Sequence, residues 1–317
     1  MFKVCKTDAQ NKLIKLKKNR LYAGSWINMV NPDTEELEKV AEWIDWDVDI
    51  LKSSLDVDER SRIEHEGKNF MVIVNLPLLD DEGQFDTLPC SMVFTPKNFL
   101  TLCSRENRII GSFTKSTAKT FDTKDRVKMM LSILYKATQF YLRYLKIINR
   151  KTDSIEYSLR NTTSNKELFQ LMEIQKSLVY FTTALKDNQL VLQKLLRMVR
   201  VKAISTIASF SEDDIDLLED IMIENKQAIE MVDMHRTILE SMMDGFASVI
   251  NNNVNQVMKF LAAITIILSI PTMLASFWGM NVGVPFSADK FGFWYVVSAS
   301  IILTILVIFF FRKKKMF

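Results

Sequence analysis

Two long uncharged segments constrain what this chain can fold into more than any other feature. Residues 260–278 and residues 291–311 run for 19 and 21 positions without Asp, Glu, Lys or Arg. A helix needs about 20 apolar residues to cross the roughly 30 Å hydrocarbon core of a bilayer. We therefore predict two transmembrane helices joined by a short linker.

The remainder of the chain has the composition of a polar body. The sequence is 48% hydrophobic and 25% charged, with 8 Gly and 6 Pro in 317 residues, which is too little turn material for an all-β sandwich or a glycine-rich phosphate loop. The cysteines, Cys5, Cys90 and Cys103, form no CxxC pair, so we expect no disulfide framework and a reducing environment for the polar part. This composition disfavours a soluble enzyme, and we expect no enzymatic activity.

Basic residues predict the orientation of the two spans. Residues 312–315 read RKKK directly after the second span, whereas the linker 279–290 carries only Lys290. The positive-inside rule places the basic end in the cytoplasm, and two spans return the chain to the same side. Since residues 1–18 have no apolar signal-peptide core, we expect a multi-pass protein of the cell membrane with both termini in the cytoplasm.

A stretch without Gly or Pro predicts long helices ahead of the first span. It covers the 133 residues 112–244 and is rich in Leu, Ile, Met, Lys, Glu and Gln, which are strong helix formers or are compatible with helix. Turn-like residues near 161–165 and 205–211 divide it into helices predicted at 124–160, at 166–203 and from 212 onward.

The third of these helices has a predicted start and no predicted stop before the membrane. Ser211 and Asp214 have the spacing of a capping box, and the first following proline is Pro271. A helix from 213 to 278 would be about 100 Å long at 1.5 Å per residue. One copy of the chain could not bury such a helix, so we expect an oligomer.

The N-terminal part has the pattern of an α/β domain. Strands are predicted at 25–30, 70–78, 88–94 and 99–103, and a helix at 31–44. The first 20 residues carry seven Lys and Arg against a lone Asp8. We interpret them as solvated strand and loop charge rather than as a site for nucleic acid or a lipid surface.

The predicted organisation has six parts, and its fold class is an α+β membrane protein. They are a cytoplasmic α/β domain at 1–111, a helical stalk at 112–258, transmembrane helix 1 at 259–278, an extracellular loop at 279–290, transmembrane helix 2 at 291–311 and a basic tail at 312–317.

Small or polar residues form one stripe along the first span and the residues before it. The steps between them alternate between four and three residues, which keeps them on one helix face. This polar stripe comprises Asn251, Asn255, Met258, Ala262, Thr265, Ser269, Thr272 and Ser276. Polar side chains inside a bilayer face a bundle interior or water, so the stripe predicts either a dry packing interface between helices or the wall of an aqueous pore.

The stripe contains no Asp, Glu, His or Cys, the ligands expected of a site that strips a cation of its water. Hydroxyl, amide and carbonyl oxygens suit a cation that stays hydrated, above all Mg²⁺, which dehydrates reluctantly. Two charges crossing 100 mV gain about 4.6 kcal/mol, so inward movement needs no ATP.

The first span ends in Trp278-Gly279-Met280-Asn281. Taken alone, the GMN tripeptide also fits a left-handed helix C-cap at Gly279. The tripeptide lies at the end of the first of two C-terminal spans, after a long predicted helix and before a basic tail. In this combination of features, the whole chain resembles the CorA family of divalent-cation transporters.

The resemblance implies a funnel-shaped homopentamer in which the first span lines the pore and the second span faces lipid. It also implies that Gly279, Met280 and Asn281 form a selectivity filter for hydrated Mg²⁺. Co²⁺ and Ni²⁺ are implied as further transported ions. The implied pore-lining positions are Asn255, Met258, Leu261, Ala262, Thr265, Ser269 and Thr272. Ser269 stands where relatives often have a large hydrophobic residue, which implies a weaker constriction.

An acidic run, SEDDIDLLED at 211–220, begins the long helix. Its carboxylates fit a solvated helix start that complements the helix dipole. The resemblance also implies that regulatory Mg²⁺ binds between subunits and holds the pore closed when cytosolic Mg²⁺ is high. The residues that correspond to its implied ligands are Asp220 in this run and Asp80 in the LLDDE segment.

Two alternatives stay open. The linker segment VGVPFSA at 282–288 has no acidic residue, unlike the linker of many relatives. Its VGVP sequence resembles the zinc-transporting branch of the family. A Zn²⁺ transporter of the same architecture is therefore one alternative. A non-conducting membrane-anchored helical scaffold is the other. For His65 and His235 we expect surface or helix-packing roles rather than zinc ligation.

Overall fold

A computed structural model describes residues 2–8, 10, 12–17, 21–80, 83–115, 117, 121–161, 165–285 and 289–314, with the side chains of 160, 161 and 165 excepted. The chain divides into two compact units, which we call the N-terminal unit, Met1–Glu240, and the C-terminal unit, Ser241–Phe317. Parts of five segments discussed above lie outside the described residues: 18–20 of the basic N-terminal segment, 81–82 of LLDDE, 162–164 of the turn-like segment, 286–288 of the linker and 315–317 of the basic tail.

The N-terminal unit is built on a seven-stranded mixed sheet with strand order β2-β1-β3-β7-β6-β5-β4. Only β3 and β7 pair in parallel among the described strands, and the other neighbours are antiparallel. The strands are β1 Phe2–Thr7, β2 Leu13–Lys15, β3 Trp26–Val30, β4 Arg62–Glu66, β5 Asn69–Leu79, β6 Phe85–Phe94 and β7 Phe99–Cys103.

Two short helices cover one face of this sheet. Helix α1, Thr34–Ile44, begins at Asp33, whose side chain accepts a hydrogen bond from the Glu36 amide, and α2 spans Val48–Ser53. Apolar side chains of α1 and α2, such as Val40, share one core with the alternate residues of β1, β3, β5 and β7 that point to this side, as the two-residue period of strands requires.

Long helices cover the opposite face. After the short helix α3, Arg108–Gly111, the chain forms α4, Arg126–Asn161, and α5, Asn165–Arg200. Buried residues of α4 and α5 share one core with the sheet and with Leu218 and Ile221, near the start of the next helix. The predicted α/β region and the first predicted long helices are therefore packed into one unit.

Helix α6, Glu212–Trp278, is a single helix of 67 residues, and α7 spans Gly292–Lys313. The Ser211 hydroxyl and the Asp214 carboxylate form the predicted capping box: the Asp214 amide donates to Ser211 Oγ over 3.2 Å and the Ser211 amide donates to Asp214 Oδ2 over 2.9 Å. Both α6 and α7 contain windows long and apolar enough to cross a membrane.

The predicted strands at 25–30, 70–78, 88–94 and 99–103 are confirmed, as are the helix in 31–44 and the three long helices, whose ends differ by a few residues. The pattern missed β1, β2 and β4. Strand β2 has three residues, and β4, RIEHE, has one buried apolar residue, Ile63, so neither shows enough apolar alternation to be recognised.

Candidate functional site

The polar stripe lies on an exposed face of α6 within the C-terminal unit. All eight of its residues are exposed in the single chain. Three of its four hydroxyl groups donate to the carbonyl four residues earlier in the same helix: Thr265 Oγ1 to Leu261 over 2.9 Å, Ser269 Oγ to Thr265 over 2.7 Å and Thr272 Oγ1 to Leu268 over 3.0 Å. Because the helix itself uses these three hydroxyl protons, the three oxygens present lone pairs, which are hydrogen-bond acceptors, to the surroundings.

The opposite face of α6 packs towards α7. The less exposed residues of the span are the fully buried Ala263 and the half-buried Ile264, Ile267, Ile270, Pro271, Leu274 and Trp278. At about 100° per residue, the mean direction of this set is roughly 180° away from that of the polar stripe. The structure therefore separates the span into a face towards α7 and a polar face directed away from it.

Sequence patterns alone did not identify the face that packs towards α7. Its signal is the three-and-four spacing of apolar residues around Ala263 and Pro271, which is hidden because the other faces of the span are apolar as well. Two apolar cavities of about 310 and 640 Å³ lie between α6 and α7, and Trp278 lines both. The Trp278 side chain, at the end of α6, therefore lies between the two helices.

The GMN segment directly follows the last residue of α6. The Gly279 amide donates to the Ala275 carbonyl over 2.9 Å, which continues the helical pattern by one residue. Gly279 is not among the residues with positive φ, so the alternative of a left-handed C-cap at Gly279 is wrong.

Gly279 is instead tightly placed against the last turn of the helix. A Cβ added there would lie 3.3 Å from the Ala275 carbonyl oxygen. Met280 and Asn281 follow in an exposed bend, with Met280 54% exposed. The Asn281 side chain is thus carried on exposed backbone at the end of the helix that bears the polar stripe.

The described part of the linker carries one acidic and one basic side chain. Asp289 Oδ1 accepts a hydrogen bond from the Phe291 amide over 3.0 Å, so this carboxylate orders the start of α7, which begins at Gly292. Phe293 and Trp294, in the first turn of α7, are exposed and make an edge-to-face contact with ring centroids 5.6 Å apart.

The acidic run at the start of α6 has several different environments. Asp214 is buried in the capping box, and Glu219 forms an ion pair with Arg200 at 2.5 Å. Glu212, Asp213, Asp216 and Asp220 are exposed, and the first two lie in the first turn of the helix. This arrangement fits a solvated helix start for most of the run.

The two predicted regulatory residues are in different environments. Asp80 is half-buried, and its Oδ1 accepts a hydrogen bond from the Gln84 amide over 2.7 Å at the turn between β5 and β6. Asp220 is exposed on α6. In the part of the chain that the structure describes, no three His, Cys, Asp or Glu side chains form a group that could hold a metal ion, so one chain supplies no complete carboxylate site there.

The two histidines differ in burial. His65 is exposed on β4, whereas His235 is 8% exposed on α6 and its Nε2 has no hydrogen-bond partner. Burial lowers the pKa of His235, and the carboxylate of Asp153 partly opposes this effect. Helix packing by His235 is as predicted, although its ring is not fully hydrogen-bonded.

The arrangement of sheet, long helices and two apolar C-terminal helices occurs in known proteins. The chain is 28% identical over 297 residues to the cobalt/magnesium transport protein CorA of Methanocaldococcus jannaschii, a match that covers 92% of this chain and 91% of the relative. It is 24% identical over 307 residues to the protein of the same description from Thermotoga maritima, which covers 92% of this chain and 83% of the relative.

The full-length fold is also shared with a solved structure. The complete structure of the CorA magnesium transporter from Methanocaldococcus jannaschii matches with a TM-score of 0.84 at 26% identity and covers 98% of this chain and 97% of that chain. The family described as CorA-like Mg²⁺ transporter protein matches residues 23–313. The chain therefore belongs to the CorA-like Mg²⁺ transporter family, whose members are ion transporters and not enzymes.

Proposed function

We propose that this protein carries Mg²⁺, with Co²⁺ and Ni²⁺ as further substrates, into the cell through a pore lined by the polar stripe of α6. Membership of the family and the description of two relatives as cobalt/magnesium transport proteins support the choice of ions. The observation that carries the proposal is the position of the stripe on the face of α6 opposite to the face that packs towards α7.

The chemistry of the stripe suits a hydrated cation. The water molecules around Mg²⁺ point their hydrogens outward and need acceptors, and Mg²⁺ gives up these waters reluctantly. The hydroxyls of Thr265, Ser269 and Thr272 are held as acceptors by their own hydrogen bonds to the helix. Exchange of bulk water for such acceptors costs the hydrated ion little.

A pore needs several copies of the chain. The stripe of one α6 forms only a wall, and the membrane-spanning windows of α6 and α7 are 6% and 0% buried in the single chain. A ring of copies with the stripe inward and α7 outward would enclose a polar path, as polar residues in a bilayer require. We propose the pentamer that the family resemblance implies.

The filter is assigned to the ring of GMN segments at the outer end of α6. Five Asn281 amide oxygens would accept hydrogen bonds from the water shell of the ion without replacing it, and the Gly279 carbonyl would add further acceptors. The exposed position of Asn281 after the end of α6 supports this role. Asn255, Met258, Leu261 and Ala262 would continue the pore wall towards the cytoplasm.

Closure of the pore at high cytosolic Mg²⁺ is assigned to Asp80 and Asp220, each acting across a subunit interface. Loss of the ion would leave like charges facing each other, which favours separation of the subunits and opening.

The direction of transport follows from the predicted topology. Both termini are placed in the cytoplasm and the linker 279–290 outside, in the plasma membrane, because residues 312–315 are basic. A divalent cation then enters down a negative-inside potential that contributes about 4.6 kcal/mol at 100 mV.

Ion flux into proteoliposomes tests the proposal and separates it from its alternatives. The purified full-length protein should conduct Mg²⁺, with Co²⁺ accepted and without need of a pH gradient. Selective Zn²⁺ uptake that depends on a pH gradient would favour the zinc alternative. Flux no greater than that of empty liposomes for all three ions would favour the scaffold and reject the pore.

A further inference from the structure

Cys90 and Cys103 are neighbours on adjacent strands of the sheet. Cys90 on β6 lies directly opposite Cys103 on β7 in the antiparallel register. Both side chains belong to the core on the face covered by α4 and α5, and they are 0% and 1% exposed. Both cysteines are free thiols.

The backbone around Cys103 shows which kind of cross-strand pair this is. The Cys103 carbonyl accepts a hydrogen bond from the Asn31 amide over 2.9 Å, so the peptide groups of Cys103 point towards β3 and away from β6. Cys90 and Cys103 are therefore a non-hydrogen-bonded pair, the type in which Cα atoms are about 4.5 Å apart. That separation falls within the range of roughly 4.4 to 6.8 Å that a disulfide spans.

The two thiols already interact. The neighbouring Cys103 thiol, together with burial, raises the pKa of Cys90 well above its usual value. Cys90 is therefore a poor nucleophile near neutral pH, and burial denies a large oxidant access to the pair, so the pair should react slowly and with small oxidants.

We propose that Cys90 and Cys103 are a redox modification site that closes to a cross-strand disulfide when the protein meets hydrogen peroxide or a similar small peroxide. One thiolate attacks a peroxide oxygen, the O–O bond breaks and a sulfenic acid and water form. The second thiolate attacks the sulfenic sulfur, the S–O bond breaks and a second water leaves. Two thiols and one peroxide thus give one disulfide and two waters.

The disulfide would link β6 to β7 within the core that also holds Leu218 and Ile221 of α6. A covalent bond between these strands restricts the unfolded chain. The oxidised N-terminal unit should therefore unfold at a temperature several degrees higher than the reduced unit.

The test uses two full-length variants with the same number of buried thiols. Cys5→Ser keeps Cys90 and Cys103, whereas Cys90→Ser keeps Cys5 and Cys103. Cys5 is also buried, but it lies opposite Trp26 on β3 and not opposite a cysteine. Each purified protein is incubated with hydrogen peroxide, denatured, alkylated and analysed by intact mass, with Ala in place of Ser if either variant fails to fold.

We expect oxidised Cys5→Ser protein to lose two hydrogens, to remain monomeric on a non-reducing denaturing gel and to take up no alkylating group until dithiothreitol is added. Cys90→Ser protein should form no intramolecular disulfide. Alkylation of both thiols in oxidised Cys5→Ser protein would overturn the proposal, as would equal loss of two hydrogens within monomers of both variants.

Discussion

The two units of this protein use polar residues in opposite ways. In the N-terminal unit, the buried Asn188 side chain bonds to both backbone groups of Asn75, accepting from its amide over 2.9 Å and donating to its carbonyl over 2.8 Å. The pairing of β4 with β5 ends at Arg62 and Ile73, so Asn75 has no partner on β4. The Asn188 side chain takes the place of that missing strand. In the C-terminal unit, the polar stripe and Asn281 are exposed.

This difference shows where each unit obtains its stability. The N-terminal unit closes two apolar cores around one sheet. It pairs buried amides such as Asn188 and Asn225 internally, although His235 Nε2 and Trp46 Nε1 have no hydrogen-bond partner among the described residues. The spans of the C-terminal unit leave most of their apolar and polar surface uncovered. That surface is suited to contact with lipid, with other copies of the chain and with water, which are the surroundings of the membrane part of a transporter.

The largest effect should come from an exposed amide of the C-terminal unit. Asn281→Ala should reduce Mg²⁺ flux into proteoliposomes to the level of empty liposomes, because the proposed filter loses five acceptors at once. The melting temperature should not change, since the side chain is exposed.

Asn253→Ala is the matched control for Asn281→Ala. Asn253 is an exposed asparagine within α6, and it lies off the polar stripe. This variant should keep wild-type flux. Normal Mg²⁺ flux through Asn281→Ala protein would remove the basis for the proposed filter.

A buried amide of the N-terminal unit should show the converse behaviour. Asn188→Ala leaves the Asn75 amide without its bond and removes the acceptor of the Ser61 hydroxyl. Buried polar groups without partners cost about 1 to 3 kcal/mol each, so chemical denaturation should show a loss of about 3 kcal/mol in the free energy of unfolding.

Asn149→Ala is the control for Asn188→Ala. Asn149 makes one exposed hydrogen bond, to Asp153, and its removal should cost no more than about 0.5 kcal/mol. Equal destabilisation by the two changes would contradict the internal role assigned to Asn188.

The regulatory proposal predicts an intermediate effect. Asp80→Asn with Asp220→Asn should raise the cytosolic Mg²⁺ concentration for half-closure by about tenfold, which corresponds to about 1.4 kcal/mol, because two carboxylates no longer bind the ion. Asp216→Asn, an exposed carboxylate of the same helix, is the control and should leave closure unchanged. An unaltered Mg²⁺ dependence in the double variant would reject both assignments.

The smallest effect should come from His235. Its pKa is lowered in the folded protein from the usual 6.5, so the unfolded chain binds a proton more readily than the folded chain. Stability is therefore independent of this group well above pH 6.5 and falls as the pH drops through and below that value.

Denaturation of the N-terminal unit across pH 5 to 8 would measure the His235 contribution. His235→Gln should reduce the loss of stability at low pH, because the buried imidazole that resists protonation is removed. Identical pH profiles for wild type and His235→Gln would show that His235 does not titrate with unfolding.

The sequence predicted the long helices, the capping box at Ser211 and the strands with several buried residues because each has a local pattern. Residues 112–244 lack Gly and Pro, and strands such as Phe99–Cys103 are apolar at every position except Thr101. Strand β4 has one buried residue, Ile63, and so shows no apolar alternation. The amide of Asn188 depends on a partner, Asn75, that is 113 residues away in the sequence. No local pattern encodes such partners.

The candidate site was predicted in part for the same reason. Helix periodicity predicted that Thr265 and Thr272 lie on one helix face, and the GMN tripeptide predicted Asn281 as a filter residue at the end of the span. The direction of that face relative to α7, the role of Trp278 between the two helices and the pairing of Cys90 with Cys103 required three-dimensional packing.

Thiol accessibility in the span tests the central claim most directly. In a variant with Cys5, Cys90 and Cys103 replaced by Ala, Thr272→Cys places a thiol on the polar stripe, and Ile270→Cys places one on the face towards α7. A cationic, membrane-impermeant methanethiosulfonate reagent should block Mg²⁺ flux through Thr272→Cys protein and leave Ile270→Cys protein conducting. Flux through Thr272→Cys protein that persists after the reagent, or equal block of both variants, would contradict a water-filled pore lined by the polar stripe.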